Sequence, residues 1–172
     1  MTTEWEQTTN NDYYPMGSHY WWGGQFTDST FHSLTFSRLQ FTINNTGSST
    51  TKTIDLYAFD NDPDATGNTL LESKSFTLAA GNNTIEFDGF SHTFGSSGGY
   101  LAIKDDGNLS GFQFREASSS ATSTLVQTVQ ASAVNGEWNV FSNEYPTGLL
   151  ATSAVTTTGT RLPPPPIVLG GY

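Results

Sequence analysis

Three aspartates alternate with other residues in one loop of the chain. The run D-N-D-P-D carries Asp60, Asp62 and Asp64, and alternate loop carboxylates often build Ca²⁺ sites. An EF-hand is excluded, because Ala65 stands where that loop needs glycine and Glu72 comes one place too late for the bidentate ligand. The favoured interpretation is a solvated hairpin loop, and a looser Ca²⁺ site is the alternative.

Aromatic residues are the side chains best suited to bind a partner. Tyr20, Trp21 and Trp22 are adjacent, and Trp138 ends a later G-E-W run. Exposed Tyr and Trp rings can stack on sugar rings or act as anchors at protein interfaces. Neighbouring side chains of a strand point to opposite faces, so at least one of the three adjacent rings faces away from the others. Burial at an interface or in the core is favoured over sugar binding, because large aromatic residues most often serve burial.

No set of reactive side chains predicts an enzyme. The sequence has no Cys and no G-x-S-x-G motif, and His19, His32 and His92 lack the spacing of metal ligands. Hydrolysis of glycosides needs a pair of carboxylates, and the sequence indicates no such pair beyond a single candidate acid, Glu137 beside Trp138. We therefore expect no catalytic residue, and no cofactor apart from the Ca²⁺ alternative.

The composition points to one acidic β domain. The chain has 172 residues, 13% of them aromatic, and a net charge of -10 from 16 acidic and 6 basic residues. So few cations disfavour binding to nucleic acid and to anionic membranes, and no stretch is apolar enough to span a bilayer. Thr, Ser, Gly and Asn favour strands and turns.

Short alternating segments separated by turn residues must position these side chains. Residues 34–45 predict a long strand whose inward parity switches near Ser37–Arg38, which indicates a bulge. In residues 52–59, Ile54 and Leu56 share one face while Tyr57 and Phe59 share the other. Further strands are predicted at 69–78, 84–87, 100–104, 111–116, 124–134, 138–141 and 149–158. The pattern predicts an all-β, two-sheet antiparallel sandwich of jelly-roll-like type, with extended N- and C-terminal arms.

The two ends of the chain are predicted to lie outside the sandwich, which spans residues 25–159. Residues 1–24 form a polar arm that ends in the aromatic cluster, and residues 160–172 form a docking tail. Four prolines give the tail a stiff polyproline II rod, and an apolar plug follows them. These tail residues are Pro163, Pro164, Pro165, Pro166, Ile167, Val168 and Leu169.

The order of features resembles a family of β-sandwich modules found in bacterial surface proteins and phage structural proteins. The resemblance rests on QF at Gln25–Phe26, the segments LTFSRLQFTI and IDLYAF, G-N-T-L-L, LAAGNNTIEF, GGYLAI and the later G-E-W. It covers about two thirds of the chain and carries over no catalytic residue. It implies a jelly-roll-like sandwich used in adhesion, carbohydrate binding or virion decoration.

Two functions follow as expectations. The first is a non-enzymatic virion structural protein, such as a capsid decoration, fibre or spike subunit, that docks on protein neighbours as a homo-oligomer and contacts the host surface. The alternative is a carbohydrate-binding module or adhesin that recognises surface glycans through Trp and Tyr. The N-terminal run lacks the basic and apolar regions of a signal peptide. A virion or extracellular location is therefore expected, with a removed leader or non-classical secretion as alternatives to virion release.

Overall fold

A computed structural model describes residues 2–8, 12–17, 19–60, 68–105, 108–118, 125–131, 136–141 and 143–152. These residues form 14 β-strands and one 3-10 turn, Ser29–Phe31, in two antiparallel sheets that pack face to face. The predicted all-β sandwich is confirmed. Several successive strands lie in different sheets, so the chain crosses between the sheets repeatedly.

Each sheet has its own set of strands. The eight-stranded sheet contains β1 (Thr2–Gln7), β2 (Asp12–Pro15), β4 (Thr35–Asn45), β7 (Gly81–Phe87), β8 (His92–Thr93), β10 (Phe112–Ala117), β13 (Tyr145–Pro146) and β14 (Gly148–Thr152). The six-stranded sheet, in spatial order, contains β12 (Asn139–Val140), β11 (Gln127–Ala131), β3 (Trp21–Phe26), β9 (Gly99–Lys104), β5 (Thr50–Phe59) and β6 (Thr69–Leu78).

The long strand β4 carries the predicted bulge. Its partner β14 aligns Ala151 with Arg38 and then Thr152 with Phe36, so Ser37 is the extra residue. The bulge turns Phe36 to the same inner face as Leu39, and both side chains are fully buried. A change of parity in the sequence was sufficient to locate this irregularity, because only a bulge lets both parities face the core.

Aromatic rings fill the main core between the sheets. Phe41 of β4 meets Phe114 of β10 edge to face at 5.3 Å between ring centroids, and Trp22 of β3 stacks on Phe114 at 5.6 Å. At the other end of the sandwich, Phe26 stacks on Phe94 at 5.7 Å. The core therefore reaches its volume with few but large side chains, as the composition predicts.

The N-terminal segment differs from the predicted arm. Strand β1 pairs with β14, β2 pairs with β10, and β3 lies between β11 and β9 inside the six-stranded sheet. Trp5, Met16 and Trp22 are buried in the main core. The segment looks polar in sequence because its inward-facing apolar residues, such as Trp5 and Met16, occur singly between runs of Thr, Glu, Asn and Asp.

Candidate functional site

The outer face of the six-stranded sheet carries a second apolar cluster, separate from the main core. Its buried members are Trp21, Phe59, Ala102, Val129, Ala131 and Trp138, and Tyr20, Tyr57, Tyr100 and Val140 pack against them. The strand register places these side chains in rows across the sheet. In one row, Tyr100 lies between Phe59 on one side and Gln25, which borders the cluster, on the other. We call this set the outer aromatic cluster.

Small residues in the middle of the outer face let the Trp21 ring cross the sheet. The next row pairs Val129 with Gly23, Gly23 with Ala102, and Ala102 with Tyr57, so its positions on β3 and β9 carry no side chain larger than a methyl group. The Trp21 ring starts on β3 and passes β9 to reach the rings of Tyr57 and Phe59 on β5, each at 5.0 Å between centroids. Trp21 is consequently only 2% exposed although it faces outward.

Trp138 lies across the same face from the other side. Its ring stacks on Tyr100 at 5.1 Å and meets Phe59 edge to face at 5.3 Å. Tyr20, Tyr57 and Tyr100 remain half-buried and rim the cluster. Lys104 holds its ammonium 5.5 Å from the Tyr20 ring centre, within cation–π range. The rim therefore presents ring edges, hydroxyls and one cation to the exterior.

A shallow polar groove adjoins the cluster. Its volume is about 360 Å³, within the range of small-ligand clefts, and it is lined by Gln25, Thr27, Asp28, Leu125 and Gln127. The Gln25 amide donates to the Tyr100 hydroxyl at 3.3 Å, which joins the groove to the aromatic rim. Amide and carboxylate groups beside a ring suit a sugar or a polar peptide.

The sequence-predicted binding residues divide into two groups. Tyr20, Trp21 and Trp138 come together in the outer aromatic cluster, whereas Trp22 points inward, is fully buried and belongs to the main core. The alternation of strand β3 separates Trp21 from Trp22, as expected for adjacent residues of one strand.

Other predicted positions are placed in part. Asp60 is exposed after the end of β5, whereas Asp62 and Asp64 lie outside the described residues. The docking tail, Pro163 to Leu169, also lies outside them. In the described ranges, no group of three or more His, Cys, Asp or Glu side chains is placed to hold a metal ion.

Sequence reasoning missed a pair of glutamates inside the sandwich. Glu116 on β10 is fully buried, and Glu144 precedes β13. Burial, together with the Glu144 carboxylate beside it, raises the pKa of Glu116 to about 9. The hydroxyl of Tyr14 donates to Glu144 Oε1 at 3.0 Å, and this bond raises the pKa of Tyr14 to about 12. The alternation Phe112, Phe114, Glu116 was the sequence signal that could have placed Glu116 inside.

Comparisons with known proteins give no match. No family model, no curated protein and no solved structure is similar to this chain at a significant level. Among the described residues, no helix is long and apolar enough to cross a membrane.

Proposed function

We propose that this protein is a structural subunit of an assembly, of the virion type, that docks on a protein neighbour through the outer face of its six-stranded sheet. The observation that carries the proposal is the presence of two exposed leucines beside the aromatic rim of that face. Leu70, 51% exposed, is paired across strands with Tyr57, and Leu125, 42% exposed, lines the adjoining groove. Exposed leucines flanking aromatic rings are typical of interaction surfaces.

The opposite sheet gives the contrast that supports this assignment. Its outer face carries hydrogen-bonded polar pairs, such as Asn44 with Gln113 at 2.8 Å and Arg38 with Glu86 at 2.6 Å. Tyr13 is the large apolar side chain exposed there in the described residues. Hydrogen-bonded polar pairs also lie on the outer face of the six-stranded sheet, such as Thr53 with Ser75 at 2.8 Å, so the two exposed leucines are what distinguishes that face. The six-stranded sheet is therefore the proposed docking side.

Glycan binding is the second candidate function, and the polar groove favours it. Gln25 and Gln127 are directly paired across β3 and β11, and Asp28 lies in the same groove. Their amides and carboxylate would bind sugar hydroxyls, while the Tyr100 ring beside them would stack on a sugar face. An assembly subunit of this kind can carry both functions, because the groove and the leucines occupy neighbouring parts of one face.

Substitution of an exposed leucine tests the docking function. Leu70→Lys should leave stability within about 0.5 kcal/mol, because the side chain is exposed. It should weaken self-association or assembly about tenfold, the effect of removing an anchor worth about 1.4 kcal/mol. The measurement is mass by light scattering over a range of concentrations. Tyr13→Lys, an equally exposed residue on the other sheet, is the matched control.

The two candidate functions predict different results. Equal association of the Leu70→Lys and Tyr13→Lys variants would contradict docking through this face. A monomeric wild type that binds glycans on an array, and loses that binding in Gln127→Ala, would replace docking by glycan recognition. Deletion of Pro163–Tyr172 should reduce oligomerisation or incorporation if the tail docks on a neighbour. Unchanged assembly after deletion would contradict the role of the tail.

A further inference from the structure

The inner face of strand β10 carries a buried carboxyl group that lacks a hydrogen-bond donor. Phe112, Phe114 and Glu116 alternate along this face, so Glu116 points between the sheets and is fully buried. Neither of its oxygens has a hydrogen-bond partner among the described residues. Burial without a donor disfavours the ionised form of a carboxyl group, so the surroundings of Glu116 decide whether it keeps a proton.

The charged neighbours with the largest effect on Glu116 are negative. The Glu144 carboxylate favours the protonated form of Glu116, whereas the Thr128 hydroxyl on β11 favours the ionised form. Asp12, aligned with Glu116 on β2, adds a further negative charge on that side. Arg115 precedes Glu116 on β10, but it belongs to the opposite face of the strand, where its guanidinium lies over an aromatic ring of β2. The charges around Glu116 therefore favour retention of a proton.

Hydrogen bonds from two other strands hold Glu144 in place. The hydroxyl of Tyr14, on β2, donates to Glu144 Oε1 at 3.0 Å, and the backbone N–H of Thr128 donates to the Glu144 carbonyl at 2.8 Å. Two residues later the chain pairs with the end of β10, with Pro146 opposite Glu116. Glu144 Oε2 and the Thr128 hydroxyl have no hydrogen-bond partner within the described ranges. The fold thus fixes an unpartnered carboxylate oxygen beside Glu116.

One proton completes the hydrogen bonding of this cluster. A proton carried by one oxygen of Glu116 is donated to Glu144 Oε2, and the other oxygen of Glu116 accepts from the Thr128 hydroxyl. Both oxygens of Glu116, Glu144 Oε2 and the Thr128 hydroxyl then have partners, and these are the unpartnered atoms of the cluster. The pair also carries one negative charge instead of two adjacent like charges. In agreement, burial and the Glu144 carboxylate raise the pKa of Glu116 to about 9.

We propose that Glu116 and Glu144 share one proton at neutral pH and form an alkaline-sensitive latch, which holds the segment before β13 against β10 and β11. Loss of the proton leaves two adjacent carboxylates between the sheets, and their repulsion is relieved when the segment around Glu144 moves away from β10. The latch is built into the sandwich and is independent of the outer aromatic cluster. Mildly alkaline solution should therefore open this segment before it unfolds the rest of the chain.

Urea unfolding of the full chain between about pH 7 and pH 8.5 tests the shared proton. Glutamate in the unfolded chain is ionised throughout this range, so unfolding releases one proton. Because folding raises the pKa of Glu116, its contribution to stability is greatest below about pH 4.5 and is lost as the pH rises towards about 9. The equilibrium constant for unfolding should therefore rise about tenfold per pH unit. His19 and His92 titrate below this range, because burial lowers their pKa values from 6.5.

Glu116→Gln is the decisive variant, because glutamine has nearly the shape of glutamic acid and keeps both a donor and an acceptor. Its N–H donates to Glu144 and its oxygen accepts from Thr128 at every pH of the series. The tenfold rise per pH unit should disappear in this variant. Glu6→Gln, which removes an exposed carboxylate of β1, should keep the wild-type dependence. An equal pH dependence of the wild type and Glu116→Gln would overturn the proposal.

Two measurements on the wild-type chain do not depend on any variant folding. Infrared spectra at about pH 7.5 should contain the carbonyl band of one protonated carboxyl group, and its absence would overturn the shared proton. Hydrogen exchange tests the latch through the Thr128 amide, which donates to Glu144, with the Ser33 amide, which donates to Phe94, as the control. Between about pH 8 and pH 10, the protection factor of Thr128 should fall about tenfold more than that of Ser33. Equal changes at the two amides would contradict release of the segment.

Discussion

Trp21→Ala should destabilise the protein as strongly as a core truncation, although Trp21 faces outward from its sheet. Trp21 is 2% exposed. Its ring centroid lies 5.0 Å from the ring centroids of both Tyr57 and Phe59 and 5.2 Å from that of Tyr20. All three contacts are edge to face, the arrangement that aromatic pairs prefer. Alanine removes the ring and leaves a cavity among Tyr20, Tyr57, Phe59 and Ala102, the neighbours it packs against.

The size of the loss follows from the buried area. A buried tryptophan removes about 150–250 Å² from water, which is worth about 4–6 kcal/mol at about 25 cal/mol per Å². Alanine retains a small part of this, so we expect a loss of about 3–5 kcal/mol in the free energy of unfolding. For a chain of this length the loss corresponds to a fall in Tm of roughly 6–20 °C.

Urea unfolding followed by far-UV circular dichroism measures this loss without depending on the tryptophan removed. Tyr13→Ala is the control, because Tyr13 is 50% exposed on the other sheet and should lose at most about 1 kcal/mol, the value of its exposed cation–π contact with Arg115. A loss below about 1 kcal/mol for Trp21→Ala would refute the reasoning. It would mean that the outer aromatic cluster contributes little to the free energy of unfolding.

Two further predictions concern the backbone and the surface charges. Gly23→Ala should lower Tm in a thermal melt, because the added Cβ would lie 2.1 Å from the Leu101 carbonyl oxygen. Gly47→Ala is the control and should leave Tm nearly unchanged, because its added Cβ would meet no atom closer than 3.6 Å. The hydrogen bond from Arg38 lowers the pKa of Glu86 below 4.5. The pair should therefore contribute stability above pH 4.5 and lose it as the pH falls through the lowered pKa. The effect should stay below about 1 kcal/mol because both side chains are a third exposed. An Arg38→Gln variant with an unchanged profile of Tm between pH 3 and 7 would contradict that contribution.

Strand alternation made most of the body predictable. The parity switch located the bulge near Ser37–Arg38, and the two faces of β5 were separated correctly. The structure places Ile54 and Leu56 inside and Tyr57 and Phe59 outside. A period of two is a local property, so a single strand is enough to read it. The same rule separated Trp21 from Trp22.

Non-local pairing explains what the sequence did not reveal. Nothing near Thr2–Gln7 indicates that its partner is Gly148–Thr152, because a strand with one apolar residue carries little pattern. The meeting of Glu116 and Glu144 likewise depends on how β10 packs beside the segment before β13. Tyr20, Trp21 and Trp138 were selected as binding residues, but their gathering on one face required Gly23 and Ala102 beneath them.

Strand β1 also sets the time at which the protein can complete its fold during synthesis. Its ladder is made with β14 alone, and β14 is in turn held by β4. Strand β1 must therefore wait, unpaired, until residues up to Thr152 have also emerged from the ribosome. A nascent chain stalled before that point would expose the Trp5 ring and the open edge of β4, and both promote aggregation. A topology in which strands pair only with their neighbours in sequence does not carry this delay.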